Sequence, residues 1–179
     1  SWGRQPMVNW VNTGYDVIFL SIGGNDLNFA SAVQHCLVAA SRRWDSCQSD
    51  LDIADRLING GELYNRIRGV LSRIHDKADS HAKVVLVGYP YLEADDNFKL
   101  YSGWFSRGTV VNVGSRIRDA GRRVDNLESK VVSDLNQFYY FQCGCNAFVY
   151  QSMLGVFAGH ELSGGYSNSA RWMVEPFRD

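Results

Sequence analysis

The chain has 179 residues, 45% of them hydrophobic, with 18 Lys+Arg against 19 Asp+Glu. That length supports one domain with a proper core, and the balanced charge leaves no electrostatic footprint for nucleic acid or an anionic membrane surface. No apolar run approaches the roughly 20 residues that span a bilayer.

Taken in order, the chain opens at Ser1-Trp2-Gly3 without an initiator methionine, as a processed or trimmed N-terminus does, and no signal peptide is read in its first residues. Val17, Ile18, Phe19, Leu20 and Ile22 form a near-continuous apolar run, which predicts a strand from Asp16 to Ile22 buried on both faces of a parallel sheet. Gly23 and Gly24 end it. Glycines there permit backbone angles closed to other residues and let a ligand approach the main chain at the carboxyl edge of the sheet, where open α/β proteins bind ligands. Asn25 sits at that edge with an amide able to donate to an oxyanion. The structural alternative is an ordinary turn or helix start capped by Asn25 or Asp26.

Cys36 and Cys47 flank a predicted short loop, with His35 beside the first, and are candidates for a local disulfide. Leu63, Ile67, Val70, Leu71, Ile74 and Ala78 then recur at helical spacing after Gly60-Gly61, with His75 and His81 in and after that charged helix. Lys83 to Gly88 is the second predicted strand, ended by Tyr89-Pro90-Tyr91. Asp95-Asp96-Asn97 begins a loop rich in aromatics, Tyr101, Trp104 and Phe105, that cover the sheet edge or border a groove. A long apolar stripe from Val113 to Phe138 predicts one crossover helix, on which Arg122, Arg123, Asp125 and Glu128 read as a solvated face. Asn146 to Gln151 is the third strand. Strands alternating with helices predict a parallel sheet with right-handed crossovers.

Four cysteines permit three pairings. A bridge between Cys143 and Cys145, two residues apart, would be strained, so at least one of these thiols is expected to pair outside the segment. Zinc is the competing reading, and no further Cys or His pair stands at ligand spacing. The cysteines favour an oxidising, extracellular setting.

Gly23-Gly24-Asn25-Asp26, continued by Leu27-Asn28-Phe29, resembles the Gly-x-Asn-Asp block of the SGNH (GDSL-type) hydrolases, serine esterases and lipases in which this Asn is an oxyanion-hole donor. The resemblance implies a three-layer α/β/α sandwich of flavodoxin-like type, with residues 1–179 as its central and C-terminal part. It implies hydrolysis of an acyl or acetyl ester, on lipid or carbohydrate, without a metal or organic cofactor. It also implies that the loop after Tyr89-Pro90-Tyr91 borders the substrate groove. The Cys36–Cys47 bridge resembles loop bridges in secreted bacterial members.

The family carries its nucleophile in a Gly-Asp-Ser block ahead of the Gly-x-Asn-Asp block, and no Gly-Asp-Ser occurs in this chain. The nucleophile, the first strand and the helix after it are therefore expected on a preceding segment or on a separate polypeptide. A second donor, the family's glycine between those blocks, is not located, since Gly3 and Gly14 are the only upstream glycines. Near the C-terminus the family keeps an Asp-x-x-His pair. Phe157-Ala158-Gly159-His160-Glu161-Leu162 and Arg171-Trp172-Met173 resemble the stretches around it, which makes Asp179, the last residue, the expected triad Asp. On this alignment His160 lines the pocket; the alternative makes His160 the base itself. The expected site is thus Asn25, Gly24 and Asp179 as catalytic residues, with Gly23, Asp26 and His160 on the substrate side.

Two other classes compete. One is a hydrolase scaffold that has lost its nucleophile and serves as a binding or structural module. The other is a flavin or nucleotide binder, weakened because no phosphate-cradling glycine loop follows a strand at the required spacing.

Overall fold

The computed structural model describes residues 7–38, 41–92, 97–102, 108–161 and 172. Its centre is a parallel sheet of three strands, β1 (Val17–Leu20), β2 (Lys83–Val87) and β5 (Phe148–Gln151), in the order β1-β2-β5. The three predicted strands are present, β1 shorter at both ends than expected, β2 starting at Lys83 and β5 ending at Gln151 as predicted but each shorter at its other end. A short turn of α-helix, α1 (Phe29–Ala32), follows β1 and runs into a π-helical turn over Val33–Leu37. Two helices, α2 (Trp44–Asn59) and α3 (Glu62–Lys77), lead to β2. A two-stranded antiparallel ribbon, β3 (Lys99–Tyr101) and β4 (Val110–Asn112), then leads into the 31-residue α4 (Val113–Cys143) and on to β5.

Register decides which residues reach the core. Ile18 pairs with Val84 and Val84 with Phe148, while Leu20 pairs with Leu86 and Leu86 with Tyr150, so these six share one face of the sheet. On that face they meet Leu63, Ile67, Leu71 and Ile74 of α3 and Val124, Val131, Val132 and Leu135 of α4, forming the main core. The alternate residues Phe19, Val85 and Val149 line up on the other face, where Phe19 keeps 70% of its surface exposed. The expectation that β1 is buried on both faces is therefore corrected. Among the described residues both crossover helices cover the same face, so the described part forms an α/β fold with one helical layer on its parallel sheet.

A second, smaller cluster joins Cys36, Cys47 and Leu51 to Val111 and Val113, with Leu100 and Phe98 against it. Cys36 and Cys47 are disulfide-bonded, with Cα atoms 4.9 Å apart. They staple the π-helical turn to α2 across a short connection, in which the described residues Val38 and Ser41 to Arg43 lie outside the helices. Ion pairs hold α2 against α4, with Arg116 reaching Asp52 at 2.8 Å and Asp55 at 2.6 Å, and Arg123 joined to Asp55.

Cys143 and Cys145 are bonded to each other, against the expectation of an outside partner. The reason is Gly144, which closes α4 in the left-handed conformation at φ 69° and brings the flanking Cα atoms to 5.2 Å, within the usual span of a bridge. Among the described residues no helix is long and apolar enough to cross a membrane.

Candidate active site

The site is built where β1 ends. Gly23 takes φ 103°, a conformation closed to most side chains, although a Cβ there would make only ordinary contact with the Ile67 and Leu63 methyls at 3.4 and 3.5 Å. The chain reverses through backbone bonds from Leu27 N–H to Gly23 O, Asn28 N–H to Asn25 O and Phe29 N–H to Gly24 O. Gly24 is buried, and its N–H donates to the Tyr89 hydroxyl at 3.2 Å. A side chain at position 24 would meet that hydroxyl at 3.0 Å. Gly23 is thus required by its backbone angle and Gly24 by close approach.

Asn25 is exposed at the top of this turn, and among the described residues its carboxamide has no hydrogen-bond partner. It does not cap α1; that position belongs to Asn28, held at φ 55° with no side-chain cap bond. Asn25 lines a cleft of about 330 Å³ together with Gly23, Gly24, Asp26, Phe29 and Tyr89. Asp26 is tied to Arg66, which also holds Glu62, so its carboxylate is fixed on the wall of the cleft.

The turn is anchored from below. Asn28 donates its side-chain amide to Asp50 at 2.9 Å, and the other oxygen of Asp50 lies 2.8 Å from His35 Nδ1. Asp50 is buried. His35, read from sequence as a bystander in a loop, is one end of this clamp. His75 stacks on Tyr139 with ring centres 4.1 Å apart, and His81 pairs with Asp79 in an exposed turn.

A second polar group lies behind the first cleft. Tyr150 Oη is 2.6 Å from Asp125 Oδ1 and 3.1 Å from Glu128 Oε2, and Ser152 Oγ donates to Asp125 at 2.6 Å. Glu128 is 0% exposed, and among the described residues its Oε1 has no partner. Burial pushes its carboxyl up to about 8, against the hydrogen bond from Tyr150 and with the charge of Asp125 adding to the rise. The single phenolic hydrogen of Tyr150 is shared between Asp125, across the shorter contact, and Glu128, across the longer one. Glu128 is therefore not part of a solvated helix face: it lies between Val124 and Val131 on the inward stripe of α4. Gly88, ending β2, leaves room for this cluster, since a Cβ there would collide with the Tyr150 hydroxyl.

His160 stacks on Trp172 with ring centres 3.7 Å apart and is not among the residues lining the Asn25 cleft. Asp179 lies outside the described residues. Of the expected site residues, the structure brings Gly23, Gly24, Asn25 and Asp26 together. Tyr89, Arg66, Asn28 and Asp50 were missed, because their roles arise from contacts across 22 to 65 residues of sequence. The left-handed turn favoured by Asn is the one local signal that could have singled out Asn28.

No protein-family model matches the chain. It is similar to Lipase 1 of Streptomyces coelicolor, 27% identical over 165 residues that cover 91% of this chain and 53% of the relative. It is similar also to a lipase of Streptomyces rimosus, 25% identical over 158 residues, covering 87% and 50%. Among solved structures, the extracellular lipase of Streptomyces rimosus aligns with a TM-score of 0.63 at 25% identity, covering 93% of this chain and 60% of that one. Phospholipase A1 of Streptomyces albidoflavus aligns with the same TM-score at 24% identity, covering 91% and 58%. The chain thus spans about half the length of the curated relatives it matches.

Fold and glycine turn together define an α/β protein built on the plan of these lipases. The similarity in sequence and fold supports a place for the chain among the SGNH-type lipases.

Proposed function

We propose that residues 1–179 form one domain, the central and C-terminal part of a secreted serine ester hydrolase, in which Asn25 donates to the oxyanion. Acyl transfer by a serine needs a nucleophile, a base, a group to orient the base, and donors where the carbonyl oxygen becomes negative. The observation that carries the reading is Asn25: an exposed, unpartnered carboxamide held above a cleft at the carboxyl end of a parallel strand. A turn built only for stability would use that amide within the turn. Here Asn28, Asp50 and His35 hold the turn from the other side and leave the Asn25 amide free to face the substrate.

In this reading the serine and its base come from outside the described residues, Asp179 orients the base, and Gly23 and Gly24 set the height of the Asn25 amide. Asp26 and His160 belong to the substrate side. Secretion is supported by the two disulfides and by the extracellular lipase among the relatives.

The test is Asn25→Ala in the complete protein. Loss of one oxyanion donor should lower kcat by about 10²–10³ with little change in KM, because the interaction is made mainly in the transition state. Melting temperature should barely move. A destabilised mutant with full turnover in its folded fraction would sink the catalytic role and favour the binding-module alternative.

A further inference from the structure

Away from the Asn25 cleft, the C-terminal half of α4 and the edge strand β5 border an open groove of about 630 Å³. Ser129, Ser133, Gln137 and Tyr140 follow one another at helical spacing along its wall, with Phe141 and Asn146 beside them. From Ser129 to Tyr140 the helix rises about 16 Å, enough to seat several ligand rings in a row. Tyr140 and Phe141 keep 64% and 77% of their surface exposed, their ring centres 6.0 Å apart. Gly144 and the Cys143–Cys145 bridge end the helix just beyond these rings and fix the turn there. Among the described residues no Asp, Glu, Lys or Arg lines the groove, although 21% of the chain is charged. It shares no lining residue with the Asn25 cleft.

We propose that this groove is a surface site for a neutral polysaccharide, separate from the Asn25 cleft and independent of the ester-hydrolase reading. The lining chemistry selects the ligand. Hydroxyl and amide side chains both donate and accept, as sugar hydroxyls do. The C–H face of a sugar ring packs flat on an aromatic ring, and Tyr140 and Phe141 offer two such rings to solvent. A phosphate headgroup or an acidic glycan would meet no cation here. An apolar partner surface would bury Ser129, Ser133 and Gln137 without hydrogen-bond partners, which costs free energy. A peptide adding to the sheet is blocked. Asn136 accepts from the Phe148 N–H at 3.0 Å and donates to the Phe148 carbonyl at 2.8 Å, taking the pair of groups that a further strand would use on β5.

The test is affinity electrophoresis of the complete protein through gels holding arabinoxylan, hydroxyethyl cellulose or dextran, with polygalacturonate as the charged comparison. At least one neutral polymer should retard the protein, and polygalacturonate should not. Tyr140→Ala and Phe141→Ala should each weaken binding about tenfold, and Gln137→Ala about threefold. Melting temperatures should stay at the wild-type value, because all three side chains are exposed. Asn25→Ala should bind polymer as the wild type does. Binding lost in Asn25→Ala but kept in Tyr140→Ala would place the sugar in the cleft and overturn the groove. Retardation by none of the neutral polymers overturns it too, as does equal retardation of the wild type and both aromatic variants. Co-sedimentation with phosphatidylglycerol vesicles that Phe141→Ala abolishes, without polymer binding, would make the groove a membrane contact and overturn the polysaccharide site.

Discussion

Glu128 shows how one side chain couples the core to pH. Unfolded, it releases its proton near its ordinary value of 4.5; folded, burial beside Tyr150 and Asp125 keeps the proton on up to about 8. Between those values the native chain holds a proton that the unfolded chain lacks. Stability is then fully present below about 4.5 and declines as pH rises toward 8, by up to about 1.4 kcal/mol per unit. Above about 8 the decline from this group ends. Glu128→Gln keeps the shape and removes the proton, so its urea unfolding free energy should be flatter over pH 5–8 and exceed the wild type at pH 8. A variant with the same pH slope as the wild type would show that Glu128 is ionised in the fold. Position 128 also shows where sequence reading ran out. A lone Glu beside Arg122, Arg123 and Asp125 looks solvated, and only the approach of Tyr150, 22 residues on, reveals the buried acid.

At the scale of elements, the long stripes were legible because each is one repeating demand. Leu63, Ile67, Leu71 and Ile74 return every turn to the same face of α3, and the stripe from Val113 carries α4 without a break. Short elements were not. The β3 and β4 strands have three residues each, too few for alternation to stand out, and they form through Leu100 and Val111 closing on the Cys36–Cys47 cluster. For α2 the inward face includes Cys47 and Asp50, residues that do not announce a core helix. The strands were found, but burial on both faces was not a local property: it depends on which helices cover the sheet. That asymmetry gives a measurable contrast on two paired strands. In the 179-residue chain Leu86→Ala, at a fully buried site, should cost about 2–5 kcal/mol. Phe19→Ala, on the open face, should change stability by no more than about 0.5 kcal/mol. Equal losses in urea titrations would mean that the open face is covered in solution.

At the scale of the molecule, the Gly23–Asp26 turn was readable because its chemistry is contiguous, whereas a triad is assembled from distant segments that no local pattern joins. The chain carries no Gly-Asp-Ser block. Among the described residues a Ser hydroxyl does meet a His ring nitrogen, at Ser80 and His81, 3.3 Å apart. That contact cannot serve the Asn25 site. It precedes β2, whereas Asn25 follows β1, and in parallel strands those are opposite ends of the sheet. The His81 Nδ1 is also held at 2.8 Å by Asp79 in an exposed turn. On the proposed reading, an oxyanion donor without a nucleophile leaves no covalent route, so the 179-residue polypeptide should give no serine-dependent turnover of p-nitrophenyl acetate or butyrate. It should also take up no fluorophosphonate, while the complete protein does both. Labelling mapped by mass spectrometry to any serine of residues 1–179 would overturn this placement of the nucleophile, with Ser80 the first position to inspect.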